Sequence, residues 1–471
     1  MSFHGHCQRL ASGRRLIKAL ALHACVLGAF AAAVRAQDAP PYLLAQPAQY
    51  TNVIDAFEDH DPVDFNVHLG FTRSMRHGVL QRERATPANS GAGVPTLTDI
   101  ANTTQIINAL ELGLDAGLYK DLMVYGRLPL VLSDSRQLDW PDWATCTSGA
   151  CPARARDTAL LTDTPPGGGM PARLFGGDLP FRSKTRSGVP HIDLGLAWGI
   201  TNQYRDSHLP TWVIMLEGRV GAGSVMKPCA DGASCDPGIS RGTARLKLES
   251  RWSYRFRYVE PYMGVSYAYE IATSAADRFS PHGALAGYVD ATPPSVTEVT
   301  IGAEFVPWEH RGRFQRFAID ALARAGYVSA GRDYSVLFDA LGSSQNPYLT
   351  TPNNERLIGD PSNLDVRFSG NGLTNVDAHA RLALEAALAM QAARYVRFRL
   401  GLGFAYTEPH LLTDAQACNT AVQARSGDVR ACSGGGLWNP LYRSVIDTAG
   451  RRFRLASELA LDLFASATAQ F

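Results

Sequence analysis

Leu459-Ala460-Leu461-Asp462-Leu463-Phe464-Ala465-Ser466-Ala467-Thr468-Ala469-Gln470-Phe471 closes the sequence. Leu459, Leu461, Leu463, Ala465, Ala467, Ala469 and Phe471 recur at every second position. Glu458, Ala460, Asp462, Ser466, Thr468 and Gln470 fill the alternate ones, and Phe464 interrupts that polar series once. Successive side chains of a strand point to opposite faces, so this period of two describes a strand with one apolar face.

The same alternation recurs through the chain. Val63, Phe65, Val67, Leu69 and Phe71 alternate with Asp64, Asn66, His68 and Gly70. Ile192, Leu194, Leu196, Trp198 and Ile200 alternate with Asp193, Gly195, Ala197 and Gly199. Val396, Phe398, Leu400, Leu402, Phe404 and Tyr406 alternate with Arg397, Arg399, Gly401 and Gly403. Strands are expected near 63–73, 105–118, 122–132, 189–200, 211–222, 243–256, 259–271, 296–306, 314–328, 375–388, 395–407 and 452–471. That is about 12, the even number required of a single-chain bacterial barrel. An 11-residue strand tilted about 40° spans roughly 28 Å, enough for an apolar band. The expected fold is therefore all-β: a transmembrane antiparallel up-and-down β-barrel over residues 63–471. Pro129 fits badly inside a strand because it removes a ladder hydrogen bond. The Ala-rich stretch 375–388 also reads as helix.

Connections alternate in length. Tyr119–Asp121, Asn202–Leu209, Arg257–Tyr258, Trp308–Arg313 and Met390–Arg394 are short, whereas 74–104, 133–188, 223–242, 272–295, 329–374 and 408–451 are long. Short periplasmic turns and long outer loops are a barrel signature. Apart from Cys7 and Cys25, the cysteines form close pairs: Cys146 with Cys151, Cys229 with Cys235, and Cys418 with Cys432. All three pairs fall within long connections. Local pairs in an exported chain point to disulfide-stapled extracellular loops. Their spacings are not those of zinc sites, and no metal or other cofactor is expected.

Export is read from residues 1–36. Arg9, Arg14, Arg15 and Lys18 precede an apolar run from Ala19 to Ala33, and Val34-Arg35-Ala36 offers a cleavage site. Leu22–Cys25 offers a poor lipobox, with His23 against it. Gln37–Pro62 is then a periplasmic segment or a plug for the bore. Lys+Arg 45 against Asp+Glu 44 gives +1, which lends nucleic-acid binding no support.

Trp198, Trp212, Trp252 and Trp308 fall near the turn-side ends of their strands, and Tyr267, Tyr269, Tyr327 and Tyr406 near the opposite ends. Two aromatic belts at the membrane interfaces would place them so. The terminal strand ending on Phe471 resembles the segment by which outer-membrane proteins are handed to the barrel-assembly machinery. The hairpin Leu110–Leu130 resembles one in porin-like and transporter-like outer-membrane barrels grouped with phenol (meta-pathway) degradation. That resemblance spans about 20 residues, joining a Gly-rich strand to one ending Leu-Pro through a short Asp-containing turn. It implies passive uptake, including of hydrophobic compounds, and no residue-level site.

The inward positions carry mixed charge. Glu217, Arg219, Glu249, Glu304, Asp320, Arg324, Asp377, Arg381 and Glu385 join a basic group, Arg245, Lys247, Arg251 and Arg255 on one strand and Arg397 and Arg399 on another. A free basic strip would guide anionic solutes, but buried charge must be paired, so pairing with lumen carboxylates is expected for most. The leading expectation is a porin-like channel or passive transporter for small-molecule solutes, embedded in outer-membrane lipid. The alternative is a structural barrel within an envelope-spanning machine, with periplasmic or surface protein partners. An outer-membrane hydrolase is the third. His68, His191 and His379, the last sharing a face with Asp377, are its inward histidines, but none adjoins a recognisable Ser motif. The chain is therefore not expected to be an enzyme.

Overall fold

The computed structural model describes residues 47–54, 64–84, 95–141, 162–163, 172–281, 286–346, 349, 371–428, 430–433 and 435–471. The signal-peptide reading of residues 1–36 lies outside them.

Twelve antiparallel strands form a closed barrel. They are β1 Phe65–Arg84, β2 Thr96–Tyr119, β3 Leu122–Asp139, β4 His191–Thr201, β5 Thr211–Gly221, β6 Thr243–Ser253, β7 Val259–Ala272, β8 Val296–His310, β9 Gln315–Val328, β10 His379–Ala393, β11 Val396–Thr407 and β12 Phe453–Gln470. Each pairs with its neighbour in the chain, and β12 closes on β1 from Asn66↔Gln470 to Arg82↔Phe453. Closure satisfies every wall strand on both edges, which a bilayer demands. At the seam the rings of Phe65 and Phe471 stack at 4.8 Å, and the two residues exchange backbone hydrogen bonds.

Period-two patterning decides which way each strand faces. Leu194, Ile301 and Leu400 are about 60% exposed (60%, 61% and 61%). Their alternates face the bore. Apolar side chains left this open around the whole circumference form a lipid-facing surface. Among the described residues no helix is long and apolar enough to cross a membrane.

Two expectations change. The connection 74–104 is mostly strand, since β1 runs on to Arg84 and β2 begins at Thr96. The extensions break the outward-apolar rule because protein covers them: Leu80, Ile100 and Ala101 are buried against loop residues. The Ala-rich stretch is strand, as expected, but with shifted bounds: β10 starts at His379 and extends to Ala393. Pro129 is accommodated inside β3. Pairing of β3 with β4 runs only from Leu122↔Trp198 to Arg127↔Asp193, and a short segment, Arg186–Gly188, takes over at Val131↔Gly188. Pro129 sits in that interruption, where a residue without an N–H is tolerated.

The tight turn between β2 and β3 places Asp121 at φ 51°, a conformation Asp tolerates better than most residues. Its carboxylate accepts from Asn202 at 3.1 Å and pairs with Arg205 at 2.9 Å, tying two neighbouring turns together. At the opposite end the loops fold into a cap with its own core. Leu174, Phe175, Leu337, Leu341, Val445 and Ile446 pack with Leu80 and Phe453 of the wall. Two of the three expected disulfides, Cys229–Cys235 and Cys418–Cys432, lie in these loops. The third expected pair, Cys146 with Cys151, falls outside the described residues: neither Cys146 nor Cys151 is among them.

Candidate functional site

The bore is the concave feature that the fold organises. At its turn end, residues 47–54 lie against the inward faces of β6, β7 and β8. The Ala48 N–H donates to Glu260 Oε1 at 2.8 Å and the Gln49 N–H to Glu304 Oε2 at 3.2 Å. The Tyr50 hydroxyl donates to Glu249 Oε1 at 3.0 Å, while Arg251 donates to the Tyr50 carbonyl at 2.8 Å. The Tyr50 ring stacks on Tyr262 at 4.7 Å and lies over Gly264, where a Cβ would collide with it. Val53 and Ile54 pack against Met123, Tyr125, Ala197 and Val213. Fully buried Glu260 also accepts from Ser253 Oγ at 2.7 Å and pairs with Arg255 at 2.8 Å.

Ion pairs cross the bore at this level and above it. Arg399 bridges Asp320 and Glu385, each at 2.8 Å, and the Tyr262 hydroxyl donates to Asp320 at 2.6 Å. Lys247 and Arg251 share Glu249, each at 2.7 Å. Arg316 joins Arg255 on Glu304.

Between this network and the cap lies a cavity of about 590 Å³. Its wall includes Arg76, Gln105, Asp134, Arg136, His191, Arg219, Arg241, Arg245, Glu270, His379, Arg381, His410 and Glu458, and the cap contributes Asp333, Tyr334, Ser335 and Asp339. The lining is mixed: between these polar groups stand Ile107, Val131, Leu138, Phe181, Met226, Ile239, Val336, Leu412 and Leu455. His379 and His410 stack at 3.8 Å. Each Nδ1 approaches a backbone carbonyl, of Asp377 at 3.0 Å and of Glu408 at 2.7 Å. A carbonyl only accepts, so the proton sits on Nδ1.

The basic residues singled out by sequence prove to be paired. Arg219 binds Asp193 through two hydrogen bonds of 2.6 and 2.9 Å, and Arg245 binds Glu217 at 3.0 Å. Both line the chamber. Lys247, Arg251, Arg255 and Arg399 are held by the carboxylates named above, and Arg397 reaches Gln391 Oε1 at 3.4 Å beside a small cavity of about 20 Å³. Trp198 and Trp308 are exposed on the outer surface, and Trp212 stacks on its register partner Trp252 at 6.5 Å.

The histidines raised as enzymatic candidates are occupied too. His68 bonds Asp115 through Nε2 and Thr468 Oγ1 through Nδ1 at 2.9 Å, and Arg127 also pairs with Asp115. That connectivity is triad-like, but Thr468 is buried and none of the three residues lines the chamber. His191 sits 3.6 Å from Asp193, which Arg219 already holds. Among the described residues no group of three or more His, Cys, Asp or Glu is placed to hold a metal ion.

Sequence reasoning missed Arg76, Arg136, Arg186 and Tyr50. Arg76 fell in a stretch read as loop, although its place in the alternation of Phe71, Arg73 and Met75 with Thr72 and Ser74 was a usable signal.

No protein-family model matches the sequence, and no curated protein matches it. Solved structures do resemble the chain. An outer membrane channel from Pseudomonas putida F1 is 8% identical, with 90% of this chain and 99% of that one covered, at a TM-score of 0.35. The P. putida toluene transporter TodX is 11% identical, with 91% and 93% covered, at 0.29. The outer membrane protease OmpT from Escherichia coli is 6% identical, with 87% and 97% covered, at 0.27. Likeness at this level establishes neither a shared function nor a shared site.

Proposed function

We propose that this barrel is an outer-membrane channel or passive transporter for small solutes, with residues 47–54 acting as a plug at the turn end of its bore. The observation that carries the reading is the chamber of about 590 Å³ inside a closed, lipid-facing wall. The lining sets paired charges and hydroxyls beside apolar side chains such as Val131, Leu138, Phe181 and Met226, which suits solutes that carry a polar group on an apolar body. The plug is held by polar bonds to Glu249, Arg251, Glu260 and Glu304, by one stacked aromatic ring and by the apolar packing of Val53 and Ile54. In the same reading the chain is exported by its N-terminal signal, Phe471 marks the final strand for the assembly machinery, and the Trp and Tyr residues seat the wall at the two interfaces.

The test is conductance of purified protein in planar bilayers, with and without residues 47–54. The intact chain is expected to show small or rare openings and the truncated chain a several-fold larger conductance. If both forms fold, as judged by heat-modifiable migration, yet neither conducts nor admits sugars into liposomes, the reading fails.

A further inference from the structure

The ionisable side chains around the chamber are almost all neutralised at close range. Asp134 pairs with Arg136 at 2.9 Å and Asp339 with Arg186 at 2.6 Å. Arg241 holds both Glu270 and Asp333, at 3.0 and 2.7 Å. Arg219 and Arg245 have the partners already given. Histidines aside, three remain: Arg76 on β1, Arg381 on β10 and Glu458 on β12. Among the described residues neither Arg76 nor Arg381 makes a hydrogen bond or an ion pair, and Arg76 Nε is buried without a partner.

Both arginines line the same chamber, three strands apart around the wall. Between them the wall carries Thr407 and Glu458 in the row of Arg381, and only alanines in the row of Arg76. Ala460 stands opposite Arg76 in the register, Ala405 opposite Ala460, and Ala383 opposite Ala405. Space is therefore left beside two like charges. Glu458 and Asp462 of β12 and Glu298 of β8 act on Arg381, but none lies within the 4.0 Å of an ion pair. Of these three carboxylates only Glu458 faces the chamber. Glu298 also faces Arg324 at 3.9 Å, and Asp462 adds a negative charge outside the chamber, so the two guanidiniums leave room for at most one further negative charge.

Arg381 is exposed to the bore, while Arg76 is half-buried with its Nε sealed; a guanidinium nitrogen kept from water without an acceptor is costly, and the planar fork of either arginine matches a carboxylate. We propose that Arg76 and Arg381 form a carboxylate-binding site in the chamber, and that the solutes admitted are small monocarboxylates. The second half rests on the channel reading; the first does not.

The probe is benzoate, with benzyl alcohol as its neutral counterpart. Calorimetric titration of the full-length barrel in detergent is expected to show saturable benzoate binding and no comparable binding of benzyl alcohol. Arg76→Gln and Arg381→Gln should each weaken benzoate about ten-fold, the loss of one charge-assisted pair. Arg76→Lys and Arg381→Lys keep the charge without the fork and should lose less. In a salt gradient across a bilayer, the double Gln variant should shift the reversal potential toward cation preference. Benzoate binding no tighter than that of benzyl alcohol in the unaltered protein overturns the site whether or not any variant folds. Equal benzoate binding by the parent and a folded double variant overturns it too. A barrel that binds benzoate through these arginines but never conducts sinks the channel reading and leaves the site standing. One that conducts without sensing benzoate does the reverse.

Discussion

Arg186 is 0% exposed, and its guanidinium forms a two-bond fork with Asp339 at 2.6 and 3.1 Å. Asp339 also accepts the Cys229 N–H at 3.1 Å, and Arg186 donates to the Lys227 carbonyl at the same distance. One buried pair thus joins the edge of β3, the disulfide-bearing loop and the helical turn Phe338–Gly342. A buried charge whose partner is removed is uncompensated, so Arg186→Met or Asp339→Leu should each destabilise the cap by about 3–5 kcal/mol. The double variant should recover much of that loss, because apolar replacement of both partners is often close to neutral. Denaturant or thermal melts of the four proteins give the coupling; losses that simply add would show that the two side chains act separately. Neither residue could be chosen from sequence. Arg186 lies in a long connection, and its partner is 153 residues away.

Strand glycines were read as part of the polar face, and the register assigns several of them a more specific task. Phe464, the apolar intruder in the final strand, stands opposite Gly401 on β11, and a Cβ there would meet its ring at 2.2 Å. Tyr125 lies over Gly195, and Tyr262 over Gly302, in the same way. Each bare glycine lets a neighbouring aromatic ring lie flat on the wall inside a crowded bore. Arg399 then stacks over Phe464 at 5.3 Å while reaching Asp320 and Glu385. Gly401→Val should push Phe464 off the wall and disturb that ion-pair network. The expected loss is about 1–3 kcal/mol, as for an overpacked core, seen as earlier unfolding in heat-modifiability gels. Gly401→Val with Phe464→Ala should regain part of it, and no rescue would mean that the collision is not the cause. Strand existence was legible because lipid demands an apolar face at every second residue. Where protein replaced lipid, as along Leu80, Ile100 and Ala101, that demand lapsed and the strand ends went unread.

At the scale of the whole molecule, the wall was written in the sequence and the contents of the bore were not. Alternation fixes which side chains point inward, but which charges meet depends on cross-strand register and on loops folding back. That is why Arg245, Lys247 and Arg251 drew attention and proved paired, while Arg76 and Arg381 stood apart. The cap adds a property of its own, because it buries groups that titrate in opposite senses. Burial pushes Asp447 up to about 7 from an ordinary 3.8, although it accepts backbone N–H groups of Ala415 and Arg443 and has Arg443 and Arg332 nearby. Burial holds His410 down to about 4 from 6.5, against the pull of the Glu408 carbonyl and Asp377, with His379 and Arg454 pushing the same way as burial. When the cap opens, both groups return to ordinary values. Protonated Asp447 therefore stabilises the closed cap fully below about pH 3.8, and this contribution is lost as pH rises toward 7. Neutral His410 contributes fully above about pH 6.5, and this is lost as pH falls toward 4. The two slopes oppose each other over the same window. Asp447→Asn should leave the histidine unopposed and make cap opening more acid-sensitive than in the parent. His410→Gln should do the opposite and make opening more favourable as pH rises. Hydrogen exchange of the cap amides between about pH 4 and 7, corrected for intrinsic rates, reads the opening free energy directly. Identical pH slopes in the parent and both variants would show that neither group titrates with cap opening.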